Sequence, residues 1–435
     1  MDILKEILAN EEDMRAWQRH LHENPELSGA EDATCNMIKR LLDSWNIPYD
    51  DVENGGILGY IKGERTGKTV LLRADVDALE IEESPDNLIG KKACVSKVAG
   101  VSHLCGHDAH TAMLLCAAKV LAAHKNELAG DVVLMFERGE EKTANCIKLF
   151  RHIEKKALSI DSAFATHMYA DLESGKVAIN DGPVMASNFC FDVKIKGTGG
   201  HGAYPHLANN PIDCFVAVYT ALQSLRMRKV SPYDPLTLTV GLVNAGKSNN
   251  IIPEEVYFRA AIRFYDKKAG EAFRVALDEI LAGTTAAYGM KYEYTLRRGP
   301  CKPVMNDPDC AALARSALDR AVGEGHACTC PPQLLSETFG KASAMWPGVY
   351  ALVGTKNDEK GMGAAHHNEH FEIDPDTLKL GAAAYVSYAI DFLQSNLDTA
   401  ARKYKGSFAD MYAEQGVPEA FVAYLKGELD DLALT

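Results

Sequence analysis

The chain has 435 residues, 47% of them hydrophobic and 24% charged, enough for two or three globular domains with a buried core. Its 46 Lys and Arg against 60 Asp and Glu give a net charge of −14, which disfavours nucleic acid and anionic membrane surfaces as partners. No apolar run is long enough to span a membrane, the N-terminal stretch does not read as a signal peptide, and eleven scattered cysteines suit a reducing compartment, so a cytoplasmic chain is expected.

In chain order, Met14, Trp17 and Leu21 predict a helix closed by Asn24-Pro25. Met37, Ile38, Leu41, Leu42 and Trp45 predict a second over 31–45. Three apolar runs predict buried strands: Val70-Leu71-Leu72, Val132 to Phe136, and Ala163-Phe164-Ala165. Ala109, Ala112, Met113, Cys116, Ala117, Val120 and Leu121 place an amphipathic helix between the first two, with Gly130 just beyond its end. Strands alternating with helices predict an α/β sheet. Asp75 and Asp77, Glu140-Glu141, and His167 each follow one of these strands, where open α/β sheets bind ligands.

The order then changes. Strands at 189–196, 236–243, 256–264 and 291–296, with helices at 211–228 and 267–288, spell β-α-β-β-α-β, the ferredoxin-like unit. Ile212, Phe215, Val216, Tyr219 and Leu222 form the expected inward face of the helix at 211–228. The expectation is a discontinuous first domain, 1–185 and 298–435, interrupted by an inserted domain at 186–297. Helices near 311–322 and 376–394 belong to the resumed part, and 400–435 carries no functional signal.

Cys105-Gly106-His107-Asp108 is the sharpest local motif. A thiolate and an imidazole two apart reach one soft divalent ion from a turning backbone; otherwise this is a buried cysteine beside a helix-capping aspartate. Glu140-Glu141 divides metal binding from proton transfer, or forms a solvated turn. His167 is a ligand or a core histidine. The stretch Ala364 to Phe371, with His366 and His367, is an exposed loop or the source of another imidazole. One thiolate, one carboxylate and three imidazoles suit two divalent ions with an open position for water.

In the inserted domain, Lys196 to His206 is rich in glycine but lacks the Lys-Ser/Thr of a phosphate loop. His201 there donates to an oxyanion or belongs to a flexible loop. His206, Asn250 and Arg263 are candidates for binding substrate, Arg263 by a bidentate grip on a carboxylate; a strand arginine otherwise serves a surface ion pair.

Taken in order, Arg19-His20-Leu21-His22-Glu23-Asn24-Pro25-Glu26-Leu27, Leu72-Arg73-Ala74-Asp75-Val76-Asp77-Ala78-Leu79, Cys105-Gly106-His107-Asp108-Ala109-His110, Glu140-Glu141, His167 and Gly200-His201 resemble the metallo-aminoacylases, metal-dependent amidohydrolases of the peptidase family M20, subfamily D. That group includes hippurate hydrolases, plant auxin-conjugate hydrolases and aminobenzoyl-glutamate hydrolases, and the resemblance runs over 14–394. It implies a two-metal exopeptidase-type domain with an inserted lid or dimerisation domain, in a homodimer or higher homo-oligomer. It implies hydrolysis of the amide bond of N-acyl or aroyl amino acids or related dipeptide-like molecules. Cys105, His107, Glu141, His167 and His367 would hold two divalent ions, zinc or manganese, with cobalt or nickel as alternatives. Glu140 matches the general base, Asp77 a supporting aspartate, and His201 a histidine that in related enzymes reaches the partner subunit's active site. Asn250 and Arg263 match substrate-binding positions.

The chain departs from the family pattern at four places. Glu137-Arg138-Gly139 replaces Gln-Pro-Ala, Thr338 replaces the aspartate of Ser-Glu-Asp-Phe, Glu369 replaces a proline, and Met168-Tyr169 follow His167. His-His-Asn-Glu resembles the aminobenzoyl-glutamate branch and favours an aryl-amide or dipeptide-like substrate. Two competing readings are a cysteine-nucleophile hydrolase built on Cys105 and a non-catalytic binding protein on the same fold.

Overall fold

The computed structural model describes residues 1–142, 145–297, 301–414 and 417–429. They group into two compact units. The first comprises Met1–Val184, Met305–Pro332 and the chain from Lys341 onward; the second comprises Met185–Val304 and Gln333–Gly340. Position 298, where the sequence reading resumes the catalytic domain, lies outside the described residues.

The first unit is built on an eight-stranded mixed sheet. From one edge the order is Tyr49–Val52, Gly56–Ile61, Gly130–Glu137, Lys68–Asp75, Ser162–Glu173, Gly348–Lys356, Val177–Ala178 and Ala327–Cys328. The central pairs are parallel, with Leu72 opposite both Leu134 and Phe164. Parallel strands covered on both faces read as continuous apolar runs, which is why 70–72, 132–136 and 163–165 carry almost no polar residue. The helix His107–Ala123 is apolar on nearly every side because it packs against Glu11–Glu23, Leu378–Gln394 and the strand Lys68–Asp75. One expectation needs correction: His167 does not follow its strand. The strand continues to Glu173, and His167 sits within it opposite Leu352.

The second unit has a four-stranded antiparallel sheet in the order Leu236–Ala245, Glu255–Phe264, Ser187–Lys196, Lys291–Arg297. The helices Pro211–Lys229 and Lys267–Ala287 pack together and on this sheet. This is the ferredoxin-like β-α-β-β-α-β connection. The inward face expected for Pro211–Lys229 is wrong in part. Cys214, Val218, Leu222 and Leu225 are buried, whereas Ile212, Val216 and Tyr219 are exposed. The helix carries two apolar stripes, and periodicity alone could not say which one meets the sheet.

Candidate metal centre

The candidate metal ligands lie in the first unit, in segments that follow its parallel strands, except His167, which lies inside Ser162–Glu173. Lys68–Asp75 delivers Asp75 as its last residue and Asp77 just beyond. Gly130–Glu137 leads into Glu140 and Glu141 through Gly139, which has φ +69° and donates its N–H to Glu31 Oε1 at 2.8 Å. Gly106 turns the chain between Cys105 and His107 with φ +96°; a Cβ there would meet Met168 at 3.0 Å. Only glycine takes that turn without strain.

Three overlapping groups have ligand atoms within 4.8 Å of one another: Cys105 with His107 and His167, Cys105 with Glu141 and His367, and His107 with Glu140 and Glu141. Cys105 Sγ lies 3.6 Å from His167 Nε2, and His367 Nε2 lies 3.2 Å from Glu141 Oε1. Outer partners fix the rings. His107 Nδ1 is 3.1 Å from Asp77 Oδ1, and His167 Nδ1 is 2.6 Å from the Met168 carbonyl. In both histidines this leaves Nε2 for a ligand. His107 Nε2 is buried without a hydrogen bond, and Glu141 Oε1, though 3.2 Å from His367 Nε2, makes none of good geometry. Buried polar atoms of this kind call for a partner, and a thiolate, a carboxylate and imidazole nitrogens at these spacings fit divalent metal.

Asp77 ties three segments together. Its Oδ1 faces His107, and its Oδ2 accepts from Ser28 Oγ at 2.5 Å and from Glu141 N at 3.1 Å. Burial opposes the Asp77 charge, but the His107 and Ser28 hydrogen bonds hold its carboxyl below the usual range. Burial pushes the Cys105 thiol well up, so the thiolate needs a cation beside it to form at neutral pH. His367 has φ +64°, rare for a side chain other than glycine, and its N–H donates to the Leu104 carbonyl at 2.9 Å. That bond fastens the histidine-rich stretch to the Cys105 loop. Of the two adjacent histidines, His366 turns inward, accepting from Ala170 N and packing against the Phe371 ring at a tilt.

Sequence reasoning missed His110 as a structural element of the site. Asp75, His107 and His110 also form a close group, but His110 has no nitrogen to spare. Its Nδ1 bonds Asp75 Oδ1 at 2.6 Å, and its Nε2 accepts from Met168 N at 2.8 Å. Asp75 in turn accepts from Arg73, which also donates to Glu137, both at 2.8 Å. Burial opposes the Asp75 charge, yet His107, Arg73 and His110 hold its carboxyl well below the usual range. A second network stands behind the helix start. His22 bridges Asp108 and Glu83 at 2.9 and 3.0 Å, and Lys92 donates to Glu83 at 2.8 Å. Residues 20–27 hold the signal for it, but no periodicity links His22 to Asp108.

The remaining candidates belong to the second unit. His201 pairs with Ile251, Gly202 N donates to the Asn250 carbonyl at 2.8 Å, and the His201, Tyr204 and His206 rings follow one another at 5.7 and 6.3 Å. His201, His206 and Asn250 therefore share one exposed corner. Arg263 does not join them. It stands near the far end of the strand Glu255–Phe264 and donates to the Leu334 carbonyl at 3.0 Å.

The model of Peptidase family M20/M25/M40 matches residues 71–391. The chain belongs to this family. Thermostable carboxypeptidase 2 of Saccharolobus solfataricus is 31% identical over 402 residues, covering 90% of this chain and 99% of that protein. The N-acyl-L-amino acid amidohydrolase of Geobacillus stearothermophilus is 34% identical over 296 residues, covering 68% and 78%. The solved Bacillus subtilis YXEP protein, described as a dinuclear metal-binding peptidase of the M20 family, superposes with TM-score 0.76 at 27% identity over 89% of this chain and 99% of its own. As a member of the M20 family the chain is a hydrolase, and its chemistry is metal-dependent amide hydrolysis. Among the described residues, no helix is long and apolar enough to cross a membrane.

Proposed function

We propose that the chain hydrolyses the amide bond of N-acyl or aroyl amino acids, or of small dipeptide-like relatives, with Glu140 as general base. The observation that carries this reading is a buried carboxylate grouped with His107 and Glu141 that is not needed to complete the ligand set. Cys105, His107, Glu141, His167 and His367 would hold two divalent ions, zinc or manganese before cobalt or nickel. Such ions would supply a water acidic enough to be deprotonated near neutral pH and a Lewis acid for the scissile carbonyl. Glu140 takes the water proton and returns it to the leaving amine. Asp77 holds His107 and the Glu141 backbone in place. His201 is assigned to the developing oxyanion, with Asn250 and His206 of the same exposed corner contacting substrate; Arg263, at the other end of its strand, is assigned to the substrate separately.

The two units correspond in this reading to a catalytic domain and an inserted lid or dimerisation domain. The exposed stripe Ile212, Val216 and Tyr219, beside the unpaired edge strand Leu236–Ala245, supports a second copy of this chain as the partner. Tyr219→Glu should then convert a dimer into monomers in sedimentation. Eleven free cysteines support a cytoplasmic setting.

A panel of acyl and aroyl amino acids, assayed with Zn or Mn beside elemental analysis, tests the substrate class. A chelator separates this reading from a Cys105 nucleophile, which would keep working after metal removal.

A further inference from the structure

Behind the first turn of His107–Ala123 lies a cavity of about 80 Å³, lined by none of the residues grouped at the metal centre. That is room for roughly three waters, or one molecule of a few heavy atoms. Its floor is polar and its walls are mostly apolar, with the Glu372 carboxylate also in the lining, where it accepts from the Asn87 side chain and the Ala93 N–H. On the floor are His103 and Asp108; Cys94, Met362, Phe371 and Ile373 contribute to the walls, and Arg19 stands at the exposed rim.

The floor is unsatisfied. His103 is 2% exposed, and neither ring nitrogen has a hydrogen-bond partner among the described residues. Asp108 is 1% exposed; Gln18 and His22 hold its Oδ2 at 2.7 and 2.9 Å, but its Oδ1 has no partner. A neutral imidazole offers one donor and one acceptor, and a carboxylate oxygen accepts only. Buried groups left unpaired carry a desolvation penalty, so a ligand that satisfies both is favoured.

We propose that this cavity binds a compact neutral carboxamide or urea. Its N–H edge would donate to Asp108 Oδ1, its carbonyl would accept from the His103 ring, and its alkyl end would lie against Phe371 and Ile373. Carboxylates are disfavoured because they would place an anion against Asp108. Small ammonium ions lack the acceptor that His103 needs. The occupant touches the neighbour of His107 rather than the reacting centre, so it binds without competing with substrate.

The test is a titration of the metal-loaded enzyme with acetamide, following the His103 ring signal by NMR, assigned with His103→Phe. A saturable shift in the millimolar range is expected, as befits so small a ligand. Acetate and methylammonium should act at least about tenfold more weakly. Acetamide should also slow alkylation of Cys94 in the unmutated protein, read by peptide mass. Cys94→Trp, which fills the cavity from its wall, should abolish the shift while leaving hydrolysis unchanged. Should that variant misfold, the alkylation rate decides by itself. No saturation, or equal response to all three probes, overturns the proposal and leaves a cavity filled by water alone.

Discussion

Asp77 Oδ1 stands 3.1 Å from His107 Nδ1, and the same carboxylate accepts the Glu141 backbone N–H at 3.1 Å. One aspartate thus aims an imidazole and anchors the loop carrying a carboxylate ligand. Asp77→Ala should weaken metal binding by about 10–100-fold, the usual effect of losing an outer-shell partner. Competition against a chromophoric chelator measures it; unchanged affinity would remove Asp77 from the site.

Glu140 needs a different signature. Glu140→Gln keeps the shape and removes the base, so kcat should fall by about 10²–10⁴-fold while the metal content stays at the unmutated level. Loss of metal in this variant would instead make Glu140 a ligand.

Arg73 is 1% exposed between Asp75 and Glu137. Replacing it with Met leaves two buried carboxylates facing one another without their shared cation. Breaking a buried pair this way costs about 3–5 kcal/mol. Denaturant unfolding of Arg73→Met should show that loss, and a midpoint equal to the unmutated protein's contradicts the role.

His22 gives a pH dependence with a defined sign. Burial opposes its charge, but hydrogen bonds to Asp108 and Glu83 prevail and push the imidazole up to about 10. In the unfolded chain it titrates near about 6.5. The folded protein therefore keeps a proton that the unfolded chain releases between those values. Its stabilising contribution is complete below about pH 6.5, declines above it, and is lost as pH rises through about 10. The Tm difference between the unmutated protein and His22→Gln should shrink across that window; a difference flat with pH would falsify the assignment.

Much of this was legible in residue order. Continuous apolar runs gave the buried parallel strands, because strands covered on both faces carry no alternation. Gly106 and Gly139 flank ligand-type residues, and the structure shows both at positive φ, where a side chain would be strained. The residue types of the cluster could be named because thiolate, imidazole and carboxylate are the groups that hold divalent ions; the choice of Glu141 over Glu140 and of His367 over His366 came from the family resemblance alone.

Other features belong to the tertiary structure alone. Whether His110 offers a nitrogen depends on Asp75 and Met168, residues remote from it in sequence. That His366 turns inward and His367 toward Glu141 depends on one positive φ and a bond to Leu104. The outward stripe of Pro211–Lys229 follows from which of two apolar faces the sheet covers. Local sequence specifies what each group can donate or accept and how the backbone near it bends. Which groups meet, and which are left buried without a partner like His103, is decided by chain segments folding together from far apart.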